Sequence, residues 1–266
     1  MNLQKKYWKK CKNSRDVIFK RKVSKKYGGG TVLRRIFEKH ETMMCMLLII
    51  CYIVVNSYCM QKFGVEDFRS TIINTIFSGI LIFLMISLDR VEYYGITKVC
   101  NPKKYLYFLP LLLIVSVNLW NGMNMNHSCD EIIFHILTMF QIGFIEEVIF
   151  RGFLFKMMEK DNVKCAIFVS SITFGIGHII NLLNGAELIP TLLQVCYAMA
   201  IGYLFVIIFY KSKSLLPCII THAVFNACSI FNIENTVSTY IAPIVLIMVP
   251  IAYGIYIERY VKALDS

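Results

Sequence analysis

Eight apolar runs, each close to the length that crosses a bilayer, recur between short polar breaks, and they confine the chain to a bundle of membrane helices. They cover roughly 43–60, 70–88, 105–121, 131–155, 163–181, 189–209, 215–232 and 239–257. Mean hydropathy is +0.59, too apolar for a soluble domain. The expected fold is therefore all-α. It is a polytopic membrane protein of about eight transmembrane helices, multi-pass in the cell membrane with both termini cytoplasmic.

The distribution of positive charge sets that orientation. Residues 1–40 hold 14 of the 28 Lys and Arg and form a basic tail, with Gly28, Gly29 and Gly30 as a joint. Such a segment reads as an orientation signal lying on anionic membrane lipid, not as a secretory leader. Residues 41–266 form the transmembrane domain. With the tail inside, the inner loops and C-terminal end carry Arg90, Lys98, Lys103, Lys104, Lys156, Lys160, Lys164, Lys211, Lys213, Arg259 and Lys262. The outer loops carry Lys62 and Arg69. That asymmetry follows the positive-inside pattern and accounts for the net charge of +11 without a nucleic-acid partner. The ten Cys form no CxxC pair, so no zinc ribbon or thiol redox motif is expected.

Few charged or imidazole side chains fall well inside the runs. Glu146, Glu147 and Arg151 share one aromatic run, Phe144 to Phe155. His178 follows Phe174 by four residues, and His222 precedes Asn226 by four. Ionisable groups are costly in hydrocarbon and mark functional interiors. Glu147 and Arg151 are one helical turn apart and pair on one face. Glu146 points about 100° away and is left available. Glu146 and His178 are equally far in sequence from Asn162, the break between their two runs, so antiparallel helices bring them to one depth. His222 is near mid-run, with Asn226 on its own face. Phe174 walls one side of the His178 ring, and Gly175 and Gly177 allow close helix approach.

These residue types suit water-dependent acyl chemistry. A carboxylate and an imidazole, Glu146 and His178, hold and deprotonate water. His222 and the Asn226 amide donate to the oxyanion formed at a peptide carbonyl. The same side chains leave a second possibility open, with Glu146, His178 and His222 as ligands of zinc and an open position for water. No HExxH signature is present, so the residue types admit zinc or no metal.

The three polar clusters resemble the CPBP family, the type II CAAX prenyl proteases together with bacteriocin-processing and Abi proteins. The family's EExxxR reads Glu146-Glu147-Val148-Ile149-Phe150-Arg151, its FxxxH reads Phe174 to His178, and its HxxxN or HxxxD reads His222 to Asn226. The resemblance covers about 130–232. It implies an intramembrane endopeptidase acting on a membrane-associated peptide or protein, CAAX-type or bacteriocin-related. Glu146 would activate water with His178, while His222 and Asn226 stabilise the oxyanion and Glu147, Arg151 and Phe174 support them. Members are described both as metalloproteases and as metal-free glutamate enzymes. The compact, Lys-, Ile- and Asn-rich chain fits a prokaryotic member, which favours a membrane peptide or protein over a prenylated GTPase. Two other functions compete: a non-catalytic bacteriocin-immunity or scaffold protein, and a proton-coupled transporter. Transporters of this size are built from inverted repeats, and no internal repeat is visible here.

Overall fold

A computed structural model describes residues 32–99, 108–233, 235 and 237–261. Residues 1–31 of the basic tail, and Lys103, Lys104 and Lys262, lie outside the described residues. No strand occurs among those described.

A short helix α1, Val32–Lys39, precedes the bundle. Among the described residues, six helices are long and apolar enough to cross a membrane: α2 (Glu41–Lys62), α3 (Phe68–Ser87), α5 (Cys129–Met158), α6 (Val163–Leu182), α7 (Leu188–Ser212) and α9 (Thr239–Tyr260). Two apolar helices are shorter, α4 (Leu109–Leu119) and α8 (Leu216–Phe231). Each of the eight runs is thus helical over most of its described length. At ~1.5 Å per residue α8 does not reach the ~30 Å of a hydrocarbon core, and of α4 only the part from Leu109 onward lies among the described residues searched for spans.

Helix boundaries follow local chemistry. Asp67 caps α3 and accepts from the Arg69 backbone N–H at 2.7 Å. The Arg69 side chain also binds this carboxyl and lowers its pKa to about 2. Ser128 and Glu131 form a reciprocal capping box at the start of α5. Asn162 caps α6 through the Cys165 N–H at 3.0 Å.

Loop contacts sort the helix ends into two groups. Arg90, after α3, bonds Glu38 of α1 at 2.8 Å, and Lys160, after α5, bonds Glu41 at the start of α2. The Leu215 N–H reaches the Gly95 carbonyl at 2.8 Å, and Lys211 donates to the Glu258 carbonyl at 2.9 Å. The start of α2 and the end of α9 therefore share one end of the bundle. Arg34, Arg35, Lys39, Arg90, Lys160, Lys211 and Arg259 belong to it. At the other end, Asn184 accepts from Ser57 and Gln61, and the Asn124 N–H donates to the Phe231 carbonyl.

The most enclosed helix is α7, which packs along α6 and α9, while α5 packs along α8 and α3. Two glycines make these approaches close. A Cβ on Gly143 would sit 2.9 Å from the Ala223 backbone of α8. One on Gly175 would sit 2.8 Å from the Val195 carbonyl of α7. Gly177 differs from the packing role expected of it: an added Cβ there meets nothing within 4 Å, because it lines a cavity. Outward faces carry exposed Ile, Leu, Met and Phe, such as Ile50, Val54, Ile76, Phe83, Ile244 and Met248. Contiguous exposed apolar surface of this kind belongs against lipid.

Candidate active site

The second half of α5 is not α-helical. Val148–Phe155 forms a π-helical segment, a rare widening of the turn that recurs at functional sites. Such a segment disturbs the backbone ladder. Ser170 of α6 answers it by donating to the Phe150 carbonyl at 2.9 Å, as hydroxyls do in membrane helices. Glu146 and Glu147 end the regular part of α5, and Arg151 lies in the wide turn.

Glu147 and Arg151 are both fully buried. The Arg151 Nη1 donates to Glu147 Oε1 at 3.0 Å. Its guanidinium lies 4.0 Å from the centre of the Phe174 ring and 5.8 Å from that of Phe205. Its Nε and Nη2 have no hydrogen-bond partner among the described residues, so the aromatic faces are what receive the rest of the cation. Gly202 makes room for it, since a Cβ there would lie 3.3 Å from Nη2.

The same Glu147 oxygen takes a second donor. His222 of α8 donates from Nδ1 to Glu147 Oε1 at 2.9 Å. This fixes the tautomer and turns Nε2 toward Glu146, 3.4 Å from Oε2. Arg151, Glu147, His222 and Glu146 therefore form one continuous polar chain between α5 and α8. The oxyanion role expected of His222 is narrowed by this: it has a proton to donate at Nε2 only in the imidazolium form.

Tyr52 of α2 supplies a contact that the motifs do not contain. Its buried hydroxyl donates to Glu146 Oε1 at 2.5 Å. One Glu146 oxygen is thus held by Tyr52 while the other faces His222.

His178 stands where α6 passes into its final 3-10 turn. Its Nδ1–H donates to the Phe174 carbonyl at 3.1 Å, which leaves the Nε2 lone pair free in the neutral ring. The Phe174 ring meets both imidazoles edge to face, with centroids 5.2 Å from His178 and 5.6 Å from His222. Glu146, Phe174, His178 and Asn226 line one cavity of about 290 Å³. A smaller adjoining cavity of about 40 Å³ is lined by Phe174, His178, His222 and Asn226. All seven residues singled out in the sequence therefore meet in one place, with Arg151 against Phe174 and Glu147 against His222.

Glu146, His178 and His222 do not make a three-ligand set. Among the described residues no group of three His, Cys, Asp or Glu is placed to hold a metal ion. Both His222 nitrogens face carboxylates, and one His178 nitrogen is given to a backbone carbonyl. A carboxylate or a backbone carbonyl on Nδ1 is also what a metal-bound imidazole has, so Glu146 and the Nε2 atoms of His178 and His222 still admit zinc as residue types. His135, the other buried histidine, lies apart and bonds Ser229 Oγ at 3.2 Å across to α8.

Tyr52 escaped the sequence reading because a tyrosine in an apolar run carries no signature of its own. The cavity-lining amides Asn56, Asn118, Asn181 and Gln194 were also missed. Their signal was present as neutral polar residues inside apolar runs, a class set aside in favour of acids, bases and histidines.

Residues 128–228 match the sequence model of the Rce1-like family, described as type II CAAX prenyl endopeptidase. The match spans α5 to α8 and excludes Tyr52. No curated protein and no solved structure matches the chain.

Proposed function

With residues 128–228 belonging to the CPBP family of intramembrane proteases, we propose that the chain hydrolyses a peptide bond of a membrane-associated peptide or protein, with Glu146 as the base. The observation that carries this reading is the division of labour on one carboxylate. Glu146 Oε1 is held by Tyr52, and Oε2 is turned to the His222 ring at the wall of a cavity that His178 shares.

A water in the cavity gives its proton to Glu146 Oε2 while the His178 Nε2 lone pair accepts its second hydrogen. The water oxygen attacks the substrate carbonyl carbon, and the π pair moves onto the carbonyl oxygen. The Asn226 amide donates to that oxyanion, in the manner that stabilises acyl-transfer transition states, and His222 joins it when both of its ring nitrogens carry protons. The oxyanion then re-forms its double bond, the C–N bond breaks, and Glu146 returns the proton to the leaving nitrogen. Products are a carboxylic acid and an amine. The basic end of the bundle is placed in the cytoplasm on the charge asymmetry.

The test uses purified protein in proteoliposomes with a quenched-fluorescence peptide library. Cleavage by the wild type and its loss by about 10²-fold or more in His178→Ala supports the assignment, in line with the contribution of a positioned acid–base group. Equal rates remove His178 from the chemistry.

Tyr52 acts through Glu146 and is a positioning residue. Tyr52→Phe deletes one hydrogen bond to a charged acceptor, worth about 1.5–3 kcal/mol. The expected result is a kcat lower by about tenfold with KM unchanged, beside a thermal midpoint lowered by the loss of that one hydrogen bond. A change confined to KM, or to stability, refutes a positioning role.

The non-catalytic immunity or scaffold reading finds no observation that favours it over hydrolysis. The proton-coupled transporter reading lacks a second cluster of buried ionisable groups: away from this site the buried Glu, Arg, Lys and His of the described residues are His135 and Lys156, and Lys156 pairs with Glu159 near the end of α5.

A further inference from the structure

α1 belongs neither to the candidate active site nor to a membrane span, yet it touches the segment that carries Arg151. Phe37 on its inner face is fully buried, with its ring centroid 5.8 Å from that of Phe153 in the π-helical turn. Leu33, one turn earlier, packs on the same core. Glu38 is held between two cations, accepting from Arg34 Nε at 3.0 Å and from Arg90 Nη2 at 2.8 Å. The Arg34 bond above all keeps the Glu38 carboxyl below its usual pKa. Lys160 and Arg90 answer Glu41 just beyond the helix. Eight residues make a helix that is marginal on its own in water, so these contacts are what hold it.

The opposite face of α1 is left over. Val32 and Ile36, four residues apart, are exposed. Arg35 and Lys39, also four apart, form the next stripe around the helix and are exposed as well. The lipid-facing side chains of α2 begin at Met43 and Met46. This face therefore stands at the boundary of hydrocarbon and water, on the basic end of the bundle. Apolar side chains beside cations at that level suit the acyl chains and phosphates of an anionic leaflet. Such a lipid shifts α1 only by preferring one of its states. Moving Phe37 from the core into lipid gains little, because acyl chains are no more apolar than packed side chains. Lifting α1 off also strips Glu38 of Arg90 and brings its charge against a negative surface. Anionic lipid thus favours the seated helix. We propose that α1 is a docking helix for anionic phospholipid, and that this lipid, by keeping Phe37 seated on Phe153, holds the π-helical segment and Arg151 in place for catalysis. The consequence for catalysis rests on the hydrolase reading; docking does not.

The full chain is placed in nanodiscs of phosphatidylcholine alone and of phosphatidylcholine mixed equally with phosphatidylglycerol, and amide exchange of α1 is followed by mass spectrometry. Exchange is expected to be slower with phosphatidylglycerol by about fivefold or more, the weight of one cation at an anionic surface. Arg35→Gln/Lys39→Gln changes exposed side chains only, and is expected to abolish the difference without moving the thermal midpoint. Wild-type kcat is expected to rise with the protection, by no more than the same factor, since a population shift cannot exceed it. Phe37→Leu, which loosens the contact on Phe153, is expected to lose that rise. Equal exchange in the two lipids, or faster exchange with phosphatidylglycerol, overturns the proposal. So does a kcat that ignores lipid charge while α1 responds to it. Protection that follows protein density instead of lipid charge gives the face to a second copy of the chain and overturns it too. A peptide left uncut in both lipids counts against the hydrolase reading alone, because exchange still reads docking.

Discussion

Glu146→Gln is expected to lower kcat by about 10³-fold while leaving the protein folded, within the range that loss of a general base produces. The substitution keeps the shape of the side chain and removes its capacity to take a proton. The surroundings accept the amide without a new unpaired group. Its carbonyl oxygen still receives the Tyr52 hydroxyl, now 2.5 Å from Glu146 Oε1. Its NH₂ faces His222 Nε2, at present 3.4 Å from Oε2, and donates to the lone pair of the neutral ring. A thermal melt in detergent is therefore expected to move by the equivalent of about 1 kcal/mol or less, the size of a typical single hydrogen-bond change. Activity and stability separate cleanly at this position. If Glu146→Gln cleaves within twofold of wild type, the base lies elsewhere. If it is inactive but binding or protection against a bacteriocin survives, a non-catalytic role gains the support it now lacks.

How much of this could be read beforehand depended on whether a contact lay along one helix or between helices. Glu147 and Arg151 were legible because one turn of helix separates them, and their pairing at 3.0 Å persists even though Arg151 falls in a π-helical segment. Equal offsets from Asn162 put Glu146 and His178 at one level, and both line the same cavity. The bond from His222 to Glu147 was not legible. It depends on how α8 is rotated against α5, and the approach of Gly143 to the Ala223 backbone sets that rotation. Tyr52 lies 94 residues before Glu146, on a helix with no motif. The π-helical segment has no sequence marker here, since Val148 to Phe155 reads like any apolar run apart from Arg151. Span counting met a different limit. Hydropathy finds eight runs, but length is a property of the folded helix, and among the described residues six helices have the length and apolarity to cross while α8 is shorter.

Arg151→Ala is expected to destabilise the protein by about 3–5 kcal/mol, the cost of removing one partner from a buried ion pair. Both side chains of the pair are fully buried, so no solvent screens the Glu147 charge once the guanidinium is gone. Glu147 then keeps only the His222 Nδ1 donor, and the space stacked against Phe174 becomes a void. Arg151→Lys does not repair this, because an ammonium lacks the planar face that lies 4.0 Å from the Phe174 ring centre. The double variant Glu147→Leu/Arg151→Leu separates the charge from its use. Removing both charges together leaves no unpaired ion, so most of the lost stability is expected to return. Activity is not expected to return with it, since His222 would lose the acceptor that fixes its tautomer and directs Nε2 at Glu146. Thermal melts of the wild type, Glu147→Leu, Arg151→Leu and the double variant form a double-mutant cycle that gives the coupling between the two side chains directly. The same samples assayed for peptide cleavage show whether the pair acts beyond stability. An Arg151→Ala protein that melts with the wild type would mean that Glu147 sheds its charge in the fold, and the chain from Arg151 through His222 to Glu146 would lose its electrostatic basis.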